Sequence, residues 1–138
     1  MDVRYHMMYD HQKTDDLISS IVSSVGKPDM DIISNIVTML KNHIYLEETL
    51  LFPMLPKELE DEVEYLEKEH GEIFRILVKI EKDDNDQRIR GLFSDLLGLL
   101  IEHNSYEESF IYDSYESLES GMLEKVPARP RDWKCRMQ

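Results

Sequence analysis

Apolar residues return every three or four positions along almost the whole chain, and no run alternates as a half-buried strand does. The pattern predicts four long helices. The first spans about Val3 to Val25 and is ended by Gly26 and Pro28. Asp29 or Asp31 can cap the second, which runs to about Leu51 before Pro53 and Pro56 close it. The third extends from Lys57 to about Lys82, and KDDNDQ is a polar turn. The fourth starts near Asp86 and continues past Tyr112 towards Leu118. Short links between long helices make sequential neighbours antiparallel, so the expected fold is all-α, an up-down-up-down antiparallel four-helix bundle. Residues 1–120 would form it, with a tail over 121–138.

The inward stripes hold more than apolar residues. On the first helix the stripe reads Met7 or Met8, His11, Asp15, Ile18, Val22 and Val25; on the second, Ile33, Ile36, Leu40, His43, Glu47 and Leu50. The third gives Leu59, Val63, Leu66, His70, Ile73, Leu77 and Ile80, and the fourth Ile89, Phe93, Leu96, Leu100, His103, Glu107 and Phe110. Each helix thus carries one inward His, and two carry a Glu one turn later. Four helical steps return to within about 40° of the start, so His43 and Glu47 face the same way, as do His103 and Glu107. His6 lies about 140° from His11 and points elsewhere. His11 and His43 stand about equally far from the turn near Gly26 and should be level, whereas His70 and His103 are offset by about a turn.

A single His on an apolar stripe is usually a core residue with a hydrogen-bond partner. Two buried carboxylates beside four imidazoles, with no Lys or Arg on the stripes, lack counter-ions, and an unpaired buried charge costs several kcal/mol. A cation solves the problem. Imidazole with carboxylate suits iron, zinc or manganese, and the missing thiolate argues against a closed structural zinc site. Six ligands exceed one tetrahedral ion and suit two ions, each with two His, that share the carboxylates.

Charge narrows the partners. The net charge is -13, which opposes binding to nucleic acid or to anionic membranes. LLGLLI, the longest clean apolar run, is too short to span a bilayer. The single Cys, Cys135, fits a reducing cytoplasm, and MDVRYHMMYDHQ lacks the apolar core of a secretory signal. The segment VPARPRDWKCRMQ is basic, at +3 against -16 for the rest of the chain. It is expected to strap across the acidic bundle with Trp133 packed, to stay loose, or to dock a protein partner.

HIYLEETLLFP, from His43, returns in blurred form as HNSYEESFIYD, from His103. With Asp10-His11 and Glu69-His70, these motifs make the chain resemble the hemerythrin-like, or HHE cation-binding, family over roughly residues 3–118. The resemblance implies two iron ions, with His11, His43, His70 and His103 as terminal metal ligands and Glu47 and Glu107 as bridging carboxylates. It further implies an oxo or hydroxo bridge, and a ferrous pair that binds oxygen or nitric oxide. Oxygen-carrying members have a second His on the third helix, where this chain has Leu66 and Phe74; Glu67 and Glu69 are the nearby carboxylates. Their last bridging acid lies five residues after its His, at the place of Glu108, whereas face geometry selects Glu107. Leu40, Leu66, Phe74, Leu100 and Phe110 would surround the site, with Met7 and Met8 near His11. Tyr45 and Tyr106 adjoin the ligands in sequence but lie off the stripe, as packing residues.

The expected function is a non-haem di-iron protein that binds or senses oxygen, nitric oxide or iron. A di-iron oxidase or peroxidase, or ferritin-like iron handling, is the alternative. Ferritin-like sites use Glu-x-x-His on two helices, a spacing that only Glu67–His70 shows among the inward histidines. A bundle stapled by zinc is the third reading.

Overall fold

The structure, a computed structural model, describes residues 2–138. It contains four long helices: α1 (Val3–Val22), α2 (Met30–Leu46), α3 (Glu60–Lys82) and α4 (Asp86–Phe110). Among the described residues no helix is long and apolar enough to cross a membrane. α1 packs on α2 and α4, and α3 packs on α4 and α2, so the four close a ring around one interior.

Side chains cap three of the four starts, satisfying N–H groups that a helix's first turn leaves free. Asp2 accepts from the Arg4 amide, Asp29 from those of Asp31 and Ile32, and Asn85 from that of Arg88. Gly26, at φ 83, makes the left-handed step between α1 and α2.

Three helix ends differ from the periodicity. α1 stops at Val22, and Val25, placed on the inward stripe by spacing, is 97% exposed in the link that follows. α2 widens at its end into a π-helical turn over Glu47–Leu51, where the Phe52 amide donates to the Glu47 carbonyl. The largest correction concerns α4, which stops at Phe110 instead of running to Leu118. A 3-10 turn over Tyr112–Tyr115 follows it. In a straight helix Tyr112 would stand about 140° round from Glu107 and face away. The tighter turn instead buries Ile111, Tyr112 and Tyr115 with Val3, Met7, Leu51, Phe52 and Leu66, closing one end of the bundle. Phe110, expected inside, is 56% exposed and packs on Tyr106. Met7 is buried, while Met8 is on the surface.

The chain then returns to its start, where the Val3 amide donates to the Leu118 carbonyl. The basic tail lies across the outside of α2 and α3. Trp133 meets Tyr45 and Phe74 edge-on, Cys135 is buried in the main core cluster, and Arg129 bonds Asn42. Of the tail's three expected arrangements, the strap is the one observed.

Gly71 explains how the strap sits so close. A Cβ there would stand 2.5 Å from the Met137 carbonyl oxygen. Alanine in a helix ordinarily gains about 0.5–1 kcal/mol over glycine. Gly71→Ala is nevertheless expected to destabilise, because a backbone clash outweighs that gain, and to lift the tail so that Trp133 fluorescence shifts to the red. Gly91→Ala, where a Cβ meets nothing, should stabilise. Equal melting temperatures for the two variants would show that the strap is not docked.

Candidate metal centre

Between the two hydrophobic clusters, all six residues picked from the stripes converge. His11, His43, His70, His103, Glu47 and Glu107 are each no more than 7% exposed. They fall into two groups, His11 with His43 and Glu107, and Glu47 with His70 and His103; within each, one ligand atom per residue lies within 4.8 Å of the others. The Nε2 atoms of His11 and His43 are 3.1 Å apart. Glu107 Oε1 lies 3.0 Å from His103 Nε2 and 3.6 Å from His11 Nε2. Glu47 Oε1 lies 3.3 Å from His70 Nε2 and 3.5 Å from His43 Nε2. Each carboxylate thus approaches one imidazole of either group, as a carboxylate between two ions would.

The donor set fits cations. Both oxygens of Glu47 and of Glu107, and the Nε2 atoms of His70 and His103, are buried without a hydrogen-bond partner. Buried polar groups are rarely left so, because each costs roughly 1–3 kcal/mol. Bonds of about 2.1 Å to a shared ion place neighbouring ligands about 3.0 Å apart, close to the shorter contacts here.

Around these six runs a ring of acids that helix phase alone did not reveal. Asp10 Oδ2 meets His43 Nδ1 at 3.2 Å, Glu48 Oε2 meets His70 Nδ1 at 2.7 Å, and Glu69 Oε1 meets His103 Nδ1 at 2.9 Å. Glu108 Oε1, on the exposed face of α4, comes to 3.9 Å from His11 Nδ1. Each acid adjoins a cluster residue on its own helix and addresses the His of the next helix round. The doublets Asp10-His11, Glu47-Glu48, Glu69-His70 and Glu107-Glu108 were the signal in the sequence. Such contacts fix the ring orientation and leave Nε2 free to face a cation. They also place Glu69 behind His103, while Glu67 pairs with Arg136 at 3.1 Å. Glu107, not Glu108, is in the cluster.

Electrostatics follow from this packing. Burial, with the neighbouring His43, depresses His11 to about 4. Burial also lowers His103, against the pull of Glu69. Burial opposes charge on His43 and His70 too, but Glu47 with Asp10 raises the first, and Glu47 with Glu48 the second. Burial would raise Glu47; the imidazoles of His43, His70 and His103 instead hold it at about 2.

Leu40 and Leu100 line a cavity of about 10 Å³ beside His11, His43 and His103, with Asn104 at its edge. That is the room of about one water molecule. Leu66 and Phe74, one turn either side of His70, are buried. Tyr45 and Tyr106 pack on Trp133 and on Tyr65. Sequence reasoning missed Tyr112, whose hydroxyl lies 2.9 Å from His11 Nε2.

No curated protein and no solved structure matches the chain. The model of the hemerythrin HHE cation-binding domain matches residues 2–115. With that match over most of its length and a buried His/Glu cluster suited to cations, the chain belongs to the hemerythrin HHE cation-binding family.

Proposed function

We propose that the protein is a non-haem di-iron protein of the cytoplasm that binds or senses a diatomic ligand, oxygen or nitric oxide. Its frame is an up-down-up-down antiparallel bundle over residues 1–120, strapped by the tail over 121–138. The observation that carries this reading is the pair of His-His-carboxylate groups, joined by two carboxylates whose four oxygens have no hydrogen-bond partner. His11, His43 and Glu107 would hold one iron, and His70, His103 and Glu47 the other, each carboxylate bridging to the second ion. Bound iron would supply reversible electron transfer and open positions for a small ligand.

The chain's own residues shape what reaches those positions. Leu40 and Leu100 leave room for one small molecule and no more, which favours a diatomic ligand over an extended substrate. Asp10, Glu48 and Glu69 hold three imidazoles with Nε2 inward, so the site is organised before metal arrives. Glu67 is held by Arg136 on the tail, which removes the one Glu-x-x-His pair suited to ferritin-like ligation.

Metal analysis of protein purified without added metal tests the reading: about two ions per chain, mainly iron, are expected. One tight zinc and no iron would refute it. Peroxide turnover by the iron-loaded protein would move it to the enzyme alternative.

Affinity should also depend on pH. Ligands must be deprotonated to bind, and the acids beside His43 and His70 favour their protonated forms in the metal-free protein. Metal affinity is therefore expected to fall as the pH is lowered through the raised values of these two imidazoles, which take up protons more readily than a free imidazole does. Titrations at several pH values measure it, and a flat profile would place the metal on other groups.

A further inference from the structure

The first group of ligands has a neighbour that lies outside the four helices. Tyr112 sits in the 3-10 turn after α4, 2% exposed, with its ring stacked on His11 at 5.6 Å between centroids and 21° between planes. Its hydroxyl oxygen is 2.9 Å from His11 Nε2. This is the same nitrogen that faces His43 Nε2 at 3.1 Å and Glu107 Oε1 at 3.6 Å. An imidazole nitrogen has one lone pair. Once that pair goes to a cation it can no longer accept the phenol's hydrogen, and Tyr112 would be left with a buried hydroxyl and no partner.

The distance indicates where the hydroxyl then turns. An oxygen 2.9 Å from a ligand nitrogen stands where a neighbouring ligand of the same ion would stand, about 3.0 Å away. We propose that Tyr112 is itself a metal ligand, its phenolate oxygen completing the site of His11, His43 and Glu107. The proposal rests on the metal-binding reading above. On binding, the phenol O–H bond breaks, the proton leaves to solvent, and an oxygen lone pair forms the bond to the cation; no electron changes hands. Tyrosinate oxygen is an established ligand of iron.

The two ions are then unequal. The one at His11, His43 and Glu107 is filled by the phenolate. The other, at Glu47, His70 and His103, has Leu66 and Phe74 one turn either side of His70, with no further donor from either, and keeps the open position.

The test is optical. Protein loaded with iron(III) is expected to show a visible phenolate-to-iron charge-transfer band, with tyrosine ring modes enhanced in resonance Raman spectra. Tyr112→Phe should lose the band completely while keeping iron and helical circular dichroism. Tyr115→Phe, which removes the next buried phenol, should keep it. A band that survives Tyr112→Phe, or iron-loaded wild-type protein with no band, overturns the proposal and leaves the metal reading standing. Ring-deuterated tyrosine in the wild-type protein shifts the Raman modes if a tyrosinate is bound, so the test does not depend on the variant folding. If zinc binds in place of iron, the readout is the ultraviolet difference absorption of tyrosinate on zinc addition, which Tyr112→Phe should abolish. A chain that takes up neither metal overturns both readings.

Discussion

Removing the metal is expected to lower the melting temperature by about 10 °C or more at neutral pH. A ligand present at about a thousand times its dissociation constant adds about 4 kcal/mol to the folded state, and for a domain of this size each kcal/mol moves the midpoint by roughly 3–5 °C. The metal-free interior adds its own penalty, since Glu47 and Glu107 are fully buried among four imidazoles. Without a cation, protons on His43 and His70 are the remaining counter-charge to Glu47. Groups raised in this way stabilise the metal-free fold below the unfolded imidazole value of about 6.5, and that contribution is lost as the pH rises through their folded values. The metal-bound form does not depend on those protons. The gap between the two melting temperatures should therefore widen from mildly acid to mildly alkaline solution. Scanning calorimetry of chelated and reloaded protein at three pH values measures it. Coincident curves would mean that no cation sits among these side chains.

Periodicity made the six cluster residues legible because a buried carboxylate is costly wherever it lies, and the stripes offered no Lys or Arg to pair with it. It also made the four helices legible, with the cap at Asp29 and the polar turn before Asp86 marking two of the starts. What it mislaid came from departures from the ideal helix. The 3-10 turn after Phe110 could not be seen in a pattern whose apolar residues still read as helical, so Tyr112 went unnoticed and Phe110 was placed inside. The offset read between His70 and His103 also disappeared, for their ring centroids lie 5.0 Å apart. Helical side chains lean towards the N-terminus of their helix. In the antiparallel arrangement proposed for α3 and α4, His70 would reach away from the connecting turn and His103 back towards it, which would bring the rings level. Glu48 escaped notice for a related reason. A regular helix rotates it about 100° from Glu47. A π turn holds more residues, so each advances by a smaller angle, and Glu48 stays near enough to the interior to meet His70.

That neighbouring pair of glutamates gives the second large effect. Glu47→Gln is expected to remove at least one of the two ions, with affinity for the remainder down by about 100-fold or more. Its Oε1 stands within 3.5 Å of Nε2 of His43 and of His70, one from each group, and a neutral amide bridges two cations poorly. Glu48→Gln should behave differently. The amide oxygen can still accept from His70 Nδ1, but the charge that holds the ring is gone, as is part of the link through Glu48 Oε1 to the Arg136 amide on the tail. Loss of a carboxylate behind a ligating histidine typically weakens metal binding by about 10–100-fold without deleting the site. The two variants therefore separate by stoichiometry: Glu48→Gln keeps two ions at saturating metal, and Glu47→Gln cannot. Glu69→Gln, behind His103, should match Glu48→Gln in metal affinity while leaving Trp133 fluorescence unchanged, because its bond does not involve the tail. Metal titration with stoichiometry by elemental analysis separates the three. If Glu48→Gln also fell to one ion, Glu48 would belong among the ligands, and the division between the inner six residues and the outer ring of acids would have to be redrawn.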